Sequence, residues 1–565
     1  MIRFLRRLFF GIPLATRTLI HQRLAPILAF PVFASDALSS VAYSTEEILL
    51  ILLVAGTQAF TYSVPITLGV VALLATVVIS YQQTVHAYPG GGGAYTVAKE
   101  NLGTPWGLLA AAALLVDYVL TVAVSIAAGT AAITSAFEVL APYSLAISLG
   151  SVAILTVVNL RGVRESGLTF AFPAYLFLAA FYTLIAVGLW RHFIMGIPPE
   201  SRKAAKTLTL LGVGLGSIFL GITLLAHIYR VVPIPEGETV VSQIARATFG
   251  TNWMYYLIQG VTAVILILAS NTAFADFPRL SSILARDGFL PRQLTHLGDR
   301  LVFANGIILL GLLSGWLLVV FRSSTHALIP LYTVGVFISF TLSQSGMVVR
   351  LATRKDRGWL VGAFRSAFGA FATGVAALVV SAAKFSHGAW ITIMLLPLIM
   401  FAFYNIRGHY LELGKALRID DYKLPLPPHH TVVFLVPSLH RGVIEALTYA
   451  RGLGSDVRAL HVETDPFQTQ NLIEQWENWA EDIPLVILES PYRSVIGPIL
   501  DYLEVVKEDR EKVRITVIIP EFVPRGWWQH ILHNQTGLLL KLALLFREDI
   551  VVTNVRYHPT DQFEA

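Results

Sequence analysis

No cysteine occurs in the 565 residues, which excludes a disulfide framework and any thiolate nucleophile or metal ligand. Charge is also scarce. Asp, Glu, Lys and Arg make up 14% of the chain, against about a quarter in a soluble globular protein. The polar C-terminal part has no P-loop and no G-x-G-x-x-G, so nucleotide hydrolysis lacks its motif there. Histidines lack metal-ligand spacing and no Ser, His and Asp can be placed together, so an enzyme is not expected and no cofactor is implied. The net charge of +5 is met by basic residues in loops and needs no nucleic acid. What remains is apolar. Hydrophobic residues reach 55% and mean hydropathy is +0.65, the signature of an integral membrane protein.

Runs long enough to span a bilayer fall at 24–53, 62–86, 104–136, 143–160, 168–190, 206–229, 253–275, 302–321, 327–349, 364–383 and 387–405. Ahead of them, residues 1–23 begin MIRFLRRLFFGIPL, a basic amphipathic piece without a small-residue cleavage site, read as a cytoplasmic end on the membrane surface. The transmembrane part is thus 24–407. A polar, proline-rich linker, 408–430, leads to a soluble region, 431–565. There HTVVFLVP, VRALHVE, LVILES, VRITVIIP and IVVTNVRY alternate with helical patterns, a βαβ series that predicts a parallel sheet.

Basic residues test the topology, because cytoplasmic loops hold their excess. Clusters precede the first run (Arg3, Arg6, Arg7, Arg17, Arg23) and follow the fourth (Arg161, Arg164), fifth (Arg202, Lys203, Lys206), seventh (Arg279, Arg286, Arg292, Arg300) and ninth (Arg350, Arg354, Lys355, Arg357). The clusters on both sides of 168–190 ask to be inside, yet one helix cannot start and finish on the same face. Either 168–190 or a neighbour is not a simple crossing, or the chain lacks a helix between Trp190 and Arg202.

Polar residues inside the runs mark the chemistry. Asp36, Ser40 and Tyr43 lie at i, i+4 and i+7 of the first run; Asp117, Thr121 and Ser125 lie at i, i+4 and i+8 of the third, beside Tyr118. Each set forms one helical stripe. Isolated hydroxyls commonly just let helices pack in lipid, but a carboxylate at membrane depth costs at least a few kcal/mol and is kept for use. Two stripes of carboxylate and hydroxyl oxygens suit a small hard cation stripped of water. Asp36 and Asp117 are the two groups that can carry a coupled proton. Glu46 and Glu47 divide evenly between an outer vestibule and the membrane interface. Tyr332, in a polar ninth run, is a weaker site candidate. The charges Asp276, Arg279, Arg286 and Asp287 read as a structural loop tie in preference to a pairing that holds a cytoplasmic gate.

The stretch PGGGGAY at 89–95 resembles the amino acid–polyamine–cation transporter superfamily. Within it, FASDALSSVAYSTEE, LLVDYVLTVAVS, FADFPRLSSILARDGFLPRQ and LIPLYTVGVFISFTLSQ are similar to the KUP potassium transporters, most closely the KimA type. The resemblance covers nearly the whole chain, including a tail similar to universal stress proteins. It implies an all-α polytopic membrane domain with the LeuT-like inverted five-helix repeat, eleven of twelve expected spans, and a C-terminal α/β domain. It further implies potassium–proton symport at the plasma membrane, with the N-terminus and tail cytoplasmic, and a first helix broken near Ser35–Ala37. Potassium would be bound by Asp36, Tyr43, Asp117, Tyr118, Thr121, Ser125 and Tyr332. The expected partners are a second copy through the cytosolic domains, inhibitory cyclic di-AMP and the lipid bilayer. The family's sixth helix, which contributes to the cation site, precedes a loop similar to PPESRKAAKTL at 198–208; here the loop is present and the helix before it is not. Two other readings stand: an amino acid or polyamine permease, and a non-transporting ion sensor. A carboxylate at a half-helix N-terminus repels a substrate carboxylate, so Asp36 favours a cation.

Overall fold

The computed structural model describes residues 26–558 apart from short stretches, the longest being 195–207, 419–428 and 524–534. The expected surface segment 1–23 lies outside the described residues. The chain divides into two compact units, 1–417 and 418–565.

The first unit is helical: α1 Pro26–Val54, α2 Ser63–Ala87, α3 Gly93–Leu102, α4 Thr104–Ala136, α5 Ser144–Leu160, α6 Val163–Ile194, α7 Leu208–Ile228, α8 Val240–Phe249, α9 Trp253–Arg286, α10 Ala304–Val320, α11 Thr325–Arg354, α12 Trp359–Ala383 and α13 Ala389–Ala416. Each of the eleven apolar runs falls on one of these helices. The last continues past Arg407 to Ala416. Among the described residues, seven helices are long and apolar enough to cross a membrane.

One expectation is corrected. Helix α1 passes through Ser35–Ala37 without a break. The segment FASDALSS contains neither Gly nor Pro, so local propensity extends the helix, and a break there has to be imposed by a partner.

Helix α4 is the centre: 83% of its apolar window lies inside the protein, against 17% for α2 and for α12. Its alanines and glycine permit close approach. A Cβ added at Gly129 would stand 3.1 Å from the Ala263 carbonyl oxygen of α9. One apolar core joins α4 to α9, α10 and α11, and a second joins α1, α6, α7 and α8 to the first half of α9. Hydroxyls bind α1, α2 and α7, with Thr223 Oγ1 3.0 Å from Thr45 Oγ1 and 3.1 Å from Thr67 Oγ1.

Helices α6 and α7 run parallel. Tyr182 pairs with Ser217 at 3.0 Å, and Ile185 packs against Gly221, so residue numbers rise together along both. Consecutive helices joined by a short connection are ordinarily antiparallel; here only residues 195–207 separate them.

The second unit contains β1 His429–Leu435, α14 Arg441–Arg451, β2 Asp456–Glu463, α15 Pro466–Ala480, β3 Leu485–Glu489, α16 Ile496–Glu508, β4 Val513–Phe522, α17 Gln535–Leu544 and β5 Ile550–Tyr557. The sheet order is β3-β2-β1-β4-β5, parallel throughout, with Val432 opposite both Val457 and Thr516. Separate apolar cores cover its two faces, which is why VVFLV reads as a continuous apolar run.

Candidate functional site

On α4 the predicted stripe forms. Thr121 Oγ1 donates to Asp117 Oδ1 at 3.3 Å. Thr121 and Ser125 are buried, while Asp117 and Tyr118 are half-buried. Helix α11 meets α4 at this level, since a Cβ at Gly335 would stand 3.1 Å from the Ala113 oxygen and 3.9 Å from the Asp117 nitrogen. Tyr332, one turn before Gly335, therefore comes near the stripe. Tyr43, Tyr118 and Tyr332 all border the core around α4. Tyr43 Oη lies 3.1 Å from Ser40 Oγ on α1. The Asp36 side chain lies outside the described residues. Tyr81 on α2, within electrostatic reach of Asp117, is a neighbour that sequence reasoning missed; its only signal was the polar YQQ ending an otherwise apolar run.

Toward the C-terminal end of α1 lies a cavity of about 40 Å³, lined by Tyr43, Glu46, Glu47, Thr239, Thr262, His326 and apolar neighbours. His326 Nδ1 is 2.5 Å from Glu47 Oε1, and its Nε2 is 3.9 Å from Glu46 Oε1. The other Glu46 oxygen accepts the Val240 N–H at 3.2 Å, capping the start of α8, where the helix dipole favours negative charge. Both glutamates thus face one cavity. Thr262 and His326 were invisible in the sequence because α9 and α11 supply them from more than 200 residues away.

At the other end of the bundle, Asp287 at the end of α9 accepts hydrogen bonds from Tyr95 Oη at 2.5 Å and Lys99 Nζ at 2.6 Å. Burial, and then the bond to Asp287, push the Tyr95 phenol far above its ordinary pKa, so it remains a donor. Of the four charges in the predicted loop tie, Asp287 is held by Tyr95 and Lys99 of α3 rather than by Arg279 or Arg286. The glycine run makes the entry to α3 possible: Gly92 takes φ 88°, and a Cβ there would overlap Thr96.

In the second unit, a cavity of about 330 Å³ opens beyond the C-terminal ends of β1, β2 and β4, between Pro437, His461, Asp465, Glu521 and Lys541. Strand order reverses between β1 and β4, and open α/β sheets bind ligands at such a switch point. Lys541 Nζ is 3.3 Å from both Glu521 oxygens. His461 is buried, with Nδ1 2.7 Å from the Val436 oxygen and Nε2 3.2 Å from Thr469 Oγ1.

Comparison with known proteins follows this division. An amino acid permease family model matches residues 28–201 and 197–404, and a model for the KimA potassium transporter C-terminal domain matches 428–557. The chain is 41% identical to the potassium transporter KimA of Bacillus subtilis strain 168, with 99% of this chain and 100% of the relative aligned. This chain belongs to the KimA potassium transporter family. Against its KimA relative the alignment runs over 607 positions, at least 42 more than the 565 residues here. The permease match divides at 197–201, between the parallel helices α6 and α7. The basic-residue pattern and the helix directions agree that one crossing is absent at this point, and the length of the KimA alignment leaves room for it.

Proposed function

We propose that this chain is a secondary transporter that takes up potassium with protons and is regulated through its C-terminal domain. One observation carries the reading: a carboxylate, Asp117, with a hydroxyl donor one turn on, lies in the most buried helix of an apolar bundle. Such a group is kept at that depth for a cation or a proton. Potassium is bound by Asp36, Tyr43, Asp117, Tyr118, Thr121, Ser125 and Tyr332, and Asp36 or Asp117 carries the proton. The name of the aligned relative supports potassium. The protein sits in the plasma membrane as a multi-pass protein, its basic loops, N-terminus and tail in the cytoplasm, and works without a cofactor. The tail pairs two copies and takes cyclic di-AMP as an inhibitor, and the switch-point cavity supports a ligand-binding role.

Potassium uptake into proteoliposomes under an imposed proton gradient tests the proposal. Uptake that rises with the gradient is expected. Amine or amino acid uptake without potassium movement would sink it in favour of a permease. A second reading, a non-transporting ion sensor, is favoured by the absent crossing. Cyclic di-AMP binding to the full chain with no uptake, unrestored by a helix inserted between Met195 and Pro198, would establish that reading instead.

A further inference from the structure

We infer that the cavity between Glu46, Glu47 and Thr262 is a second cation site, a staging position for a potassium-sized monovalent ion before it reaches the Asp117 stripe. The inference rests on the proposed potassium transport and adds a site to it. None of Asp117, Thr121, Ser125 and Tyr332 lines this cavity, whereas Tyr43 does. Tyr43 also borders the core with Tyr118 and Tyr332. Glu47 is one turn beyond Tyr43 on α1, about 6 Å along the axis. Basic residues place this end of the bundle outside, so an entering ion meets the cavity first.

Charge is the first argument. Two adjacent carboxylates face the cavity, and Glu46 is 6% exposed. His326 offsets at most one negative charge, and its approach to Glu46, at 3.9 Å, is too long for a hydrogen bond. Two carboxylates against one imidazole leave an oxygen-rich lining that favours a cation. The second argument is independent. Thr262 lines the same cavity, is 3% exposed, and its Oγ1 has no hydrogen-bond partner. Buried polar atoms are almost always satisfied, so this oxygen points to an occupant that comes and goes.

Size and ligand type narrow the occupant. Among the described residues, no three His, Cys, Asp or Glu side chains are arranged to hold a metal ion. The available donors are two carboxylates and the hydroxyls of Thr262 and Tyr43, all oxygen, which suits a hard monovalent ion. A volume of about 40 Å³ accommodates an ion and one or two waters, at roughly 10–15 Å³ per water. An organic amine larger than a methylammonium does not fit.

The test is equilibrium binding of tracer rubidium to the purified full-length protein, with potassium as competitor, so that the readout does not depend on transport. The expected isotherm has two components. Glu47→Gln removes one, Thr262→Val weakens the same one about 5-fold, the loss of one oxygen contact, and Thr262→Ser restores it. Asp117→Asn removes the other and leaves this one intact. Wild-type binding in both Glu47→Gln and Thr262→Val overturns the inference. If Asp117→Asn binds as wild type while Glu47→Gln loses a component, the inner-site assignment fails and this site stands. Should Glu47→Gln not fold, the near-isosteric Thr262→Val decides alone. No rubidium binding by the wild-type protein overturns both sites.

Discussion

Parallel α6 and α7 make a prediction about which faces of the membrane the flanking loops occupy. The pairs Tyr182–Ser217 and Ile185–Gly221 set an offset of 35–36 residues, so Ile194 is level with about residue 230 and Leu208 with about residue 172. To join them the chain must return past some 22 helical residues, about 33 Å, close to the ~30 Å hydrocarbon thickness. Residues 195–207 as a helix reach only about 20 Å, and an extended strand in lipid would leave its backbone groups unsatisfied. A chain that keeps its α6–α7 packing therefore still has to cross there. The absence of native cysteine gives a clean assay. Single cysteines replace Val139, 83% exposed between α4 and α5, and Ile234, 50% exposed after α7. Parallel packing puts both on one face, so a membrane-impermeant maleimide labels both from the same side of sealed vesicles. Labelling from opposite sides would refute the parallel arrangement and show that the second half of the bundle is inverted. An added apolar helix of about 20 residues between Gly196 and Ile197 keeps both labels on one side and raises uptake.

The remaining predictions concern particular residues. Asp36→Asn and Asp117→Asn each abolish uptake while the protein still purifies as a monodisperse species; a wild-type rate in either contradicts the site. Asp287→Asn weakens one hydrogen bond to buried Tyr95 and one to part-exposed Lys99, about 1–2 kcal/mol with the Lys99 contribution screened by solvent, and lowers the thermal midpoint more than Tyr95→Phe does; an unchanged midpoint shows that the α3–α9 tie contributes nothing. Gly346→Val drives a side chain into the Val97 carbonyl, already 2.9 Å from an added Cβ, and costs about 1–3 kcal/mol, measurable as an earlier melt. Partial desolvation at the exposed His440 holds its imidazole below the ordinary pKa of 6.5. A lowered base binds its proton less readily when folded, so the C-terminal unit is stabilised above about pH 6.5 and loses that contribution as pH falls below it. His440→Asn flattens the profile; an equal slope in the variant excludes His440 as its source.

Much of the molecule was legible in the chain because lipid imposes strict rules. A spanning segment must be apolar and helical, so hydropathy located the eleven runs, and periodicity put Asp117, Thr121 and Ser125 on one stripe whose first hydrogen bond the structure contains. Charge bias located the absent crossing, because arginine placement records sidedness independently of helix count. In the tail, turn residues and apolar runs gave strand order along the chain, though α17 was missed, its LLLKLALL pattern fitting a strand as well as a helix.

Other features depended on residues distant in sequence. The continuous α1 follows from local propensity, whereas a break needs the wall that is absent here. Asp287 found Lys99 rather than a neighbouring arginine because α3 packs against the end of α9. The role of Glu46 and Glu47 was undecidable from α1 alone, since a carboxylate near a helix end is equally at home in solvent. Only the fold brought His326 and the unpartnered Thr262 to the same cavity and showed both glutamates facing it. The sequence determined which residues are polar in an apolar chain and on which stripe of a helix they stand. The tertiary structure decided which stripes meet, because helix-to-helix contact is set by packing between segments that no local pattern connects.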